Sequence, residues 1–422
     1  MKNYFSRKFI YAISIIVVFA VIIILLLSGN ILKNTEAKDL MKDIKAQSID
    51  VSNSITEQYI NSTQAFSINL FKNCYKSGEN ILISPTSAIL ALGMAANGAD
   101  GETLKEFKKA LGQSNMFIND LNKACKAYSN ELLKKQGNTV LDIYNSAWIR
   151  RDFDVNHDFL QANADFFNTE TRTLDFDDKL SSNVINKWVK EKTEGKIESI
   201  VEKINKDDVM FLTNALNFEA RWLNPFNTNQ APSSKTFYLA NGKGINTTFM
   251  NLQASINNTV SRDESAVLLP YDDDRFAFLC IMPDKKMKIQ EYISQMSQGT
   301  INYLLKNMKK TELMISLPPF KTYASYEFKD ALRNMGLKTA FDGERANFSK
   351  MSPDSNGLYI SSVKQSTFLQ VDALGTKAGT ATSVEMTKGL VAKSIVFNRP
   401  FVYAVIDTKT WLPLFLGVMQ VP

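Results

Sequence analysis

Helix-like and strand-like patterns occupy different stretches of this chain of 422 residues. Phe66, Leu70 and Phe71 recur at helical spacing, which predicts a helix over 64–76 closed by Ser77-Gly78. After a short buried strand at 81–83, Ser84 suits a helix N-cap and Pro85 the first helical position, with the helix continuing over 88–96. Gly98 and Gly101 break it; Leu104, Phe107 and Leu111 mark a further short helix stopped by Gly112. Val184, Ile185, Trp188 and Val189 form one face of another helix. Strand patterns then dominate, at 140–148, 209–218, 276–282, 313–317, 358–371, 401–406 and 414–421, with one helix expected over 326–337. Helices early, strands late and no regular alternation of the two predict an α+β fold rather than a doubly wound one.

No Pro/Gly/Ser-rich linker or fixed-period repeat follows residue 60, so one large domain over 61–422 is expected. Residues 30–60 are polar, with scattered Leu40, Ile44 and Val51, and read as a tether or marginal helix. Ahead of them Lys2, Arg7 and Lys8 precede an apolar run from Phe9 to Leu27. That run is longer than the usual core of a cleaved signal peptide and close to the roughly 20 residues of a membrane span. A signal anchor within 1–29 is therefore favoured over a cleaved signal. The positive flank stays in the cytosol and the body is exported, either secreted or held at the plasma membrane.

Catalysis finds little support. The formal net charge is +6, but no Lys/Arg run is interleaved with aromatics, and no nucleic-acid partner is expected. His157 is the one histidine, and no nucleophile elbow exists to use it. Cys74, Cys125 and Cys280 have no metal-ligand spacing and read as buried small hydrophobes, so neither metal nor cofactor is expected. The S-x-x-K at Ser361–Lys364 lacks its companion motifs, and 98–103 lacks the lysine of a phosphate loop.

One stretch departs from a packed chain. Residues 375–383 are small or threonine-rich, yet period two persists. Thr376, Ala378, Thr380, Thr382, Val384 and Met386 fall on one side; Lys377, Gly379, Ala381, Ser383, Glu385 and Thr387 fall on the other. A strand with so thin an inner face could slide between two existing strands without overpacking the core below.

Taken in order, these pieces resemble the serpin family over about 61–422. The resemblance rests on Asn80-Ile81-Leu82-Ile83-Ser84-Pro85-Thr86-Ser87, Gly98-Ala99-x-Gly101-x-Thr103, Ile185-Asn186-x-Trp188-Val189, and Thr193-x-Gly195-Lys196-Ile197. It continues through Leu212-Thr213-Asn214-Ala215-Leu216 with Trp222 and Pro225-Phe226, then Asp372-Ala373-Leu374-Gly375-Thr376. Phe397-Asn398-Arg399-Pro400-Phe401 and Phe415-Leu416-Gly417-Val418 complete it.

The resemblance implies three β-sheets surrounded by about eight or nine helices, with an exposed, metastable reactive loop over about 373–394. It implies a monomeric suicide inhibitor whose cut loop inserts into the main sheet and disables an extracellular serine protease. It carries over a hinge at Gly375, Thr376, Ala378, Gly379, Thr380, Ala381 and Thr382. It also carries over a shutter of Ser84, Ser87, Asn214 and Gln365, with Trp222 at the breach. Family loop length puts the specificity residue at Gly389 and the cut before Leu390, suiting elastase- or subtilisin-like proteases. A shift of one residue gives Lys388, suiting trypsin-like enzymes, or Leu390, suiting chymotrypsin- or subtilisin-like ones. Two departures stand out: Gln365 replaces the family's shutter histidine, and Ala373, Leu374 and Lys377 replace acidic hinge residues. The alternative the family offers is a non-inhibitory serpin that serves as a binding or scaffold protein.

Overall fold

The computed structural model describes residues 36–135, 137–227, 233–376 and 393–422. A seven-stranded main sheet runs in the order β1 (Lys38–Asp39), β4 (Glu170–Leu174), β3 (Val140–Arg150), β5 (Met210–Arg221), β13 (Gly375–Thr376), β12 (Ser362–Val371) and β11 (Phe320–Glu327). A nine-stranded group runs β14 (Lys393–Val396), β10 (Lys309–Leu317), β7 (Gly244–Val260), β8 (Glu264–Pro270), β9 (Phe276–Pro283), β15 (Phe401–Asp407), β16 (Pro413–Met419) and β2 (Ile81–Ile83), with its ninth strand beside β7 and off this path. The long β7 carries a third ladder, in which its first six residues pair with β6 (Ser233–Tyr238). Nine α-helices surround the sheets among the described residues.

Side-chain alternation decides what lies above and below the main sheet. Phe211 and Leu212 are neighbours on β5 but belong to different apolar clusters, so they mark its two faces. On one side the helix Pro85–Ala96 is buried at every position, against β5, β3 and β16. On the other, Ile185, Trp188 and Val189 of the helix Ser181–Lys192 meet Trp148, Leu174 and Phe211 of β3, β4 and β5. A helix that is apolar all round belongs between two layers; one with a single apolar face caps a sheet.

Three expectations change. The first helix begins at Glu57, seven residues early, because the Thr56 hydroxyl caps it by accepting from Tyr59 N at 3.1 Å. Tyr326 is not helical. It pairs with Gln365 at the end of β11, and the helix that follows spans only Lys329–Asn334, since the β12 edge offers those backbone groups a ladder.

The third concerns the tether, for which the sequence leaves two readings, passive or packed on the body. From Glu36 onward it lies against the body: Lys38 and Asp39 pair with Thr173 and Arg172, extending the main sheet at its edge. Leu40, Met41, Ile44 and Ile55 cover the core in part. Gln47 N donates to Asp165 Oδ1 at 2.6 Å, and Gln161 Nε2 to Lys45 O at 2.9 Å. No helix among the described residues is long and apolar enough to cross a membrane, and the run from Phe9 to Leu27 lies outside them.

Candidate functional site: the opening in the main sheet

Parallel pairing of β5 and β12 runs from Phe211–Ser362 to Leu216–Thr367 and goes no further. Above that point the strands part. The chain leaves β12 at Val371, reverses through Asp372-Ala373-Leu374, and comes back as β13 between them. Thr376 pairs with Ala220 on β5 and with Val371 on β12. Gly375 and Thr376, the first two hinge residues, therefore already belong to the sheet.

The reversal is built from short-range chemistry. Asp372 Oδ1 accepts from Leu374 N at 2.9 Å and Gly375 N at 3.3 Å, the local bonding that lets an aspartate make a turn. Gln370 Nε2 donates to the other carboxylate oxygen at 3.0 Å. Trp222 N and Phe226 N donate to Leu374 O and Ala373 O at 3.1 and 2.8 Å, while Trp222 Nε1 donates to Asp372 O at 2.8 Å. Gly375 is required by close approach: a Cβ there would stand 2.2 Å from Ala220 O. Thr376 Oγ1 shares a 2.7 Å hydrogen bond with Tyr271 OH beneath the sheet. Tyr271 stacks on Trp222 with centroids 4.7 Å apart, and burial pushes its phenol pKa up, so it remains a neutral partner.

Lower in the seam, a second polar cluster lies on the inner face. Gln365 and Asn214 stand opposite each other across β12 and β5. Gln365 Nε2 donates to Ser84 O at 2.9 Å, Asn214 Oδ1 at 3.0 Å and Ser87 Oγ at 3.2 Å; its Oε1 accepts from Ser84 N at 2.6 Å. Ser87 Oγ donates to Asn214 Oδ1 at 2.7 Å, and Asn214 Nδ2 to Asn145 Oδ1 at 2.7 Å. All of these side chains are buried, so each bond replaces one that water could no longer supply. Ser84 also caps the helix Pro85–Ala96, its hydroxyl accepting from Ser87 N at 3.4 Å.

The structure thus brings Ser84, Ser87, Asn214 and Gln365 into one network, and sets Trp222 beside Gly375 and Thr376. Ala378, Gly379, Thr380, Ala381 and Thr382, with Lys388, Gly389 and Leu390, lie outside the described residues. Sequence reasoning missed Asn145 and Tyr271, and gave Asp372 no role beyond its place in the hinge motif. Asp372 was readable as a turn former two residues before a backbone reversal. Asn145 and Tyr271 gave no local signal, because their partners are 69 and 105 residues away. His157 is an exposed residue at a helix start. The three cysteines are buried and unpaired, and burial pushes the Cys74 and Cys125 thiols up to about 12.

The principal sheet thus parts above Leu216 and Thr367 and holds Gly375 and Thr376 between the separated strands. The chain belongs to the serpin family: the family model described as serpin (serine protease inhibitor) matches residues 61–422. Among curated relatives, an uncharacterised serpin-like protein of Thermococcus kodakarensis is 30% identical over 86% of this chain and 85% of its own. Among solved structures, the thermophilic serpin tengpin in its native state is 38% identical, with a TM-score of 0.86 over 92% of this chain and all of its own. Tengpin in its latent state, 36% identical, scores 0.75 over 89% and 99%. Thyroxine-binding globulin, solved with thyroxine, shares the fold at 23% identity and a TM-score of 0.79, over 86% and 99%.

Proposed function

We propose that this chain is an exported, membrane-anchored inhibitor that disables serine proteases irreversibly by loop cleavage and insertion. One observation carries the reading. Gly375 and Thr376 already occupy the gap between β5 and β12 in the antiparallel register that the rest of the loop would continue. Small residues on the inner side of 376–382 let the following strand enter above the core. Cleavage frees that strand from its downstream attachment. Each ladder bond then contributes about 0.5–1.5 kcal/mol, so a dozen residues release on the order of ten. Moving a protease's catalytic groups by about 1 Å costs roughly 100-fold in rate, which such a release can drive.

In this reading Gln365 is the shutter residue. It donates and accepts at once, holding β12 to β5 and to Ser84 without a titrating group. Trp222 clamps the turn at the breach, and the scissile bond falls between Gly389 and Leu390, with Lys388 and Leu390 as the adjacent specificity positions. The run from Phe9 to Leu27 holds the molecule outside the cell.

The test is to mix the full-length chain with trypsin, elastase, chymotrypsin and subtilisin and run denaturing gels. A complex that survives denaturant, with a released peptide beginning at Leu390, is expected. Clean cleavage with fully active protease left behind would refute inhibition and favour a binding protein on a serpin frame.

A further inference from the structure

Lys196 follows the helix Ser181–Lys192 and reaches onto the main sheet. Its Nζ donates to Asn217 Oδ1 at 2.7 Å and Glu219 Oε1 at 2.5 Å, with Glu194 Oε2 at 3.6 Å. The side chain is only 11% exposed. Asn217 and Glu219 lie between Leu216, the last β5 residue paired with β12, and Ala220, the first paired with β13. The lysine is thus fastened to the stretch of β5 edge that remains to be filled.

The segment that carries Lys196 is itself tied down by hydrogen bonds. Gly195 N donates to Lys190 O at 2.8 Å and Thr193 Oγ1 accepts from Ile197 N at 3.1 Å. Asn186 of the helix holds the chain beyond, its Oδ1 accepting from Ile200 N and Val201 N at 2.9 Å each. Residues 195–199 face Tyr323, Ser325, Ser366 and Thr367 across a cavity of about 530 Å³. The segment therefore bridges the seam, bonded to β5 on one flank and facing β12 and β11 on the other.

We propose that Lys196 is a positioning residue that sets how fast the main sheet admits its own loop, an inference that rests on the insertion mechanism above. An entering strand must bond to β5 at 217–219, and its outward side chains need the space beneath 195–199. The segment rises only when Lys196 releases both acceptors. A largely buried ammonium with two charge-assisted bonds resists that far more than a surface pair does. Removing the bonds raises the energy of the waiting state and leaves the open state untouched, so insertion quickens.

The test uses the full-length chain with its loop cut by a protease. Insertion is followed by Trp222-dependent fluorescence and by the rise in unfolding temperature. Lys196→Met and Glu219→Gln are each expected to insert roughly tenfold faster than the parent. Lys196→Arg should stay within about twofold, because it keeps the charge. The double variant should be no faster than Lys196→Met alone, since that change already removes the bond to Glu219. Insertion of Lys196→Met at the parental rate would overturn the inference alone. If Lys196→Met does not fold, Glu219→Gln decides it in the same way. A cut parent that gains no thermal stability would overturn the insertion mechanism and this inference together.

Discussion

Two seams between neighbouring strands follow opposite designs. Where β9 meets β15, every residue on both strands is buried, and the facing pairs are of the kind Phe278–Val405, Leu279–Ala404 and Ile281–Val402. Where β5 meets β12, five of the six facing pairs include a polar residue, among them Thr213–Lys364, Asn214–Gln365 and Leu216–Thr367, and Leu212–Val363 alone is wholly apolar. An apolar seam loses dispersion contacts and gains nothing when it parts. A polar seam can trade one hydrogen-bond partner for another, so its opening costs little once an incoming strand supplies replacements. Under the proposed mechanism the difference teaches where the molecule would yield: strand polarity, more than strand number, marks the part of the sheet that insertion would rebuild.

The comparison is open to attack from either side. The largest effect is expected from the apolar seam. Phe278 packs edge-on to Trp222 at 5.7 Å and stacks on Tyr403 at 5.7 Å. Phe278→Ala should cost about 3–5 kcal/mol by denaturant unfolding while leaving the order of loop insertion unchanged. A loss below about 1 kcal/mol would break the claim that this half of the molecule is the fixed one.

A smaller effect is expected in the polar seam, and of a different kind. Gln365→Leu strands Ser84 N, Ser84 O and one Asn214 bond, for a cost of about 1–3 kcal/mol. Unlike the Phe278 variant, it should also speed spontaneous insertion, read as loss of inhibitory activity on warming. Gln365→His would sharpen the point: its insertion rate should change between about pH 5 and 8, where the parent's rate stays flat.

The smallest effect tests the register. Continuing the ladder by one residue sets Lys377 opposite Glu219 once the loop enters. Lys377→Glu would then set two carboxylates against each other, worth about 0.2–1 kcal/mol, and should slow insertion slightly after loop cleavage. An unchanged rate at low salt would place Lys377 out of that register.

Much of the site is legible in local sequence patterns. Ser84-Pro85 declares a helix start by capping chemistry, and the alternation of small residues after Gly375 declares a strand that could enter a sheet. The largely apolar stretches of β9, β15 and β16 identify themselves, because a run with so few polar side chains has one stable destination. Residues 36–56 mislead for the same reason in reverse: scattered apolar residues at no clear period suggest no element, yet two residues at a sheet edge and a few half-buried side chains suffice to hold them down. The strand β11 is obscured because its outer face is polar and Tyr326 reads equally well in either period.

By itself, the sequence determined the class of fold, the faces of its helices and strands, and the helix cap at Ser84. All of these follow from patterns of short range, where neighbours along the chain decide what can be buried. The resemblance groups Gln365 with Ser84 and Asn214, but the tertiary structure alone decided which atoms bond across 281 and 151 residues, and that Lys196 reaches Asn217 and Glu219 beside the gap. A hydrogen bond depends on distance and direction in space, and only the closing of the sheets brings those groups to face one another.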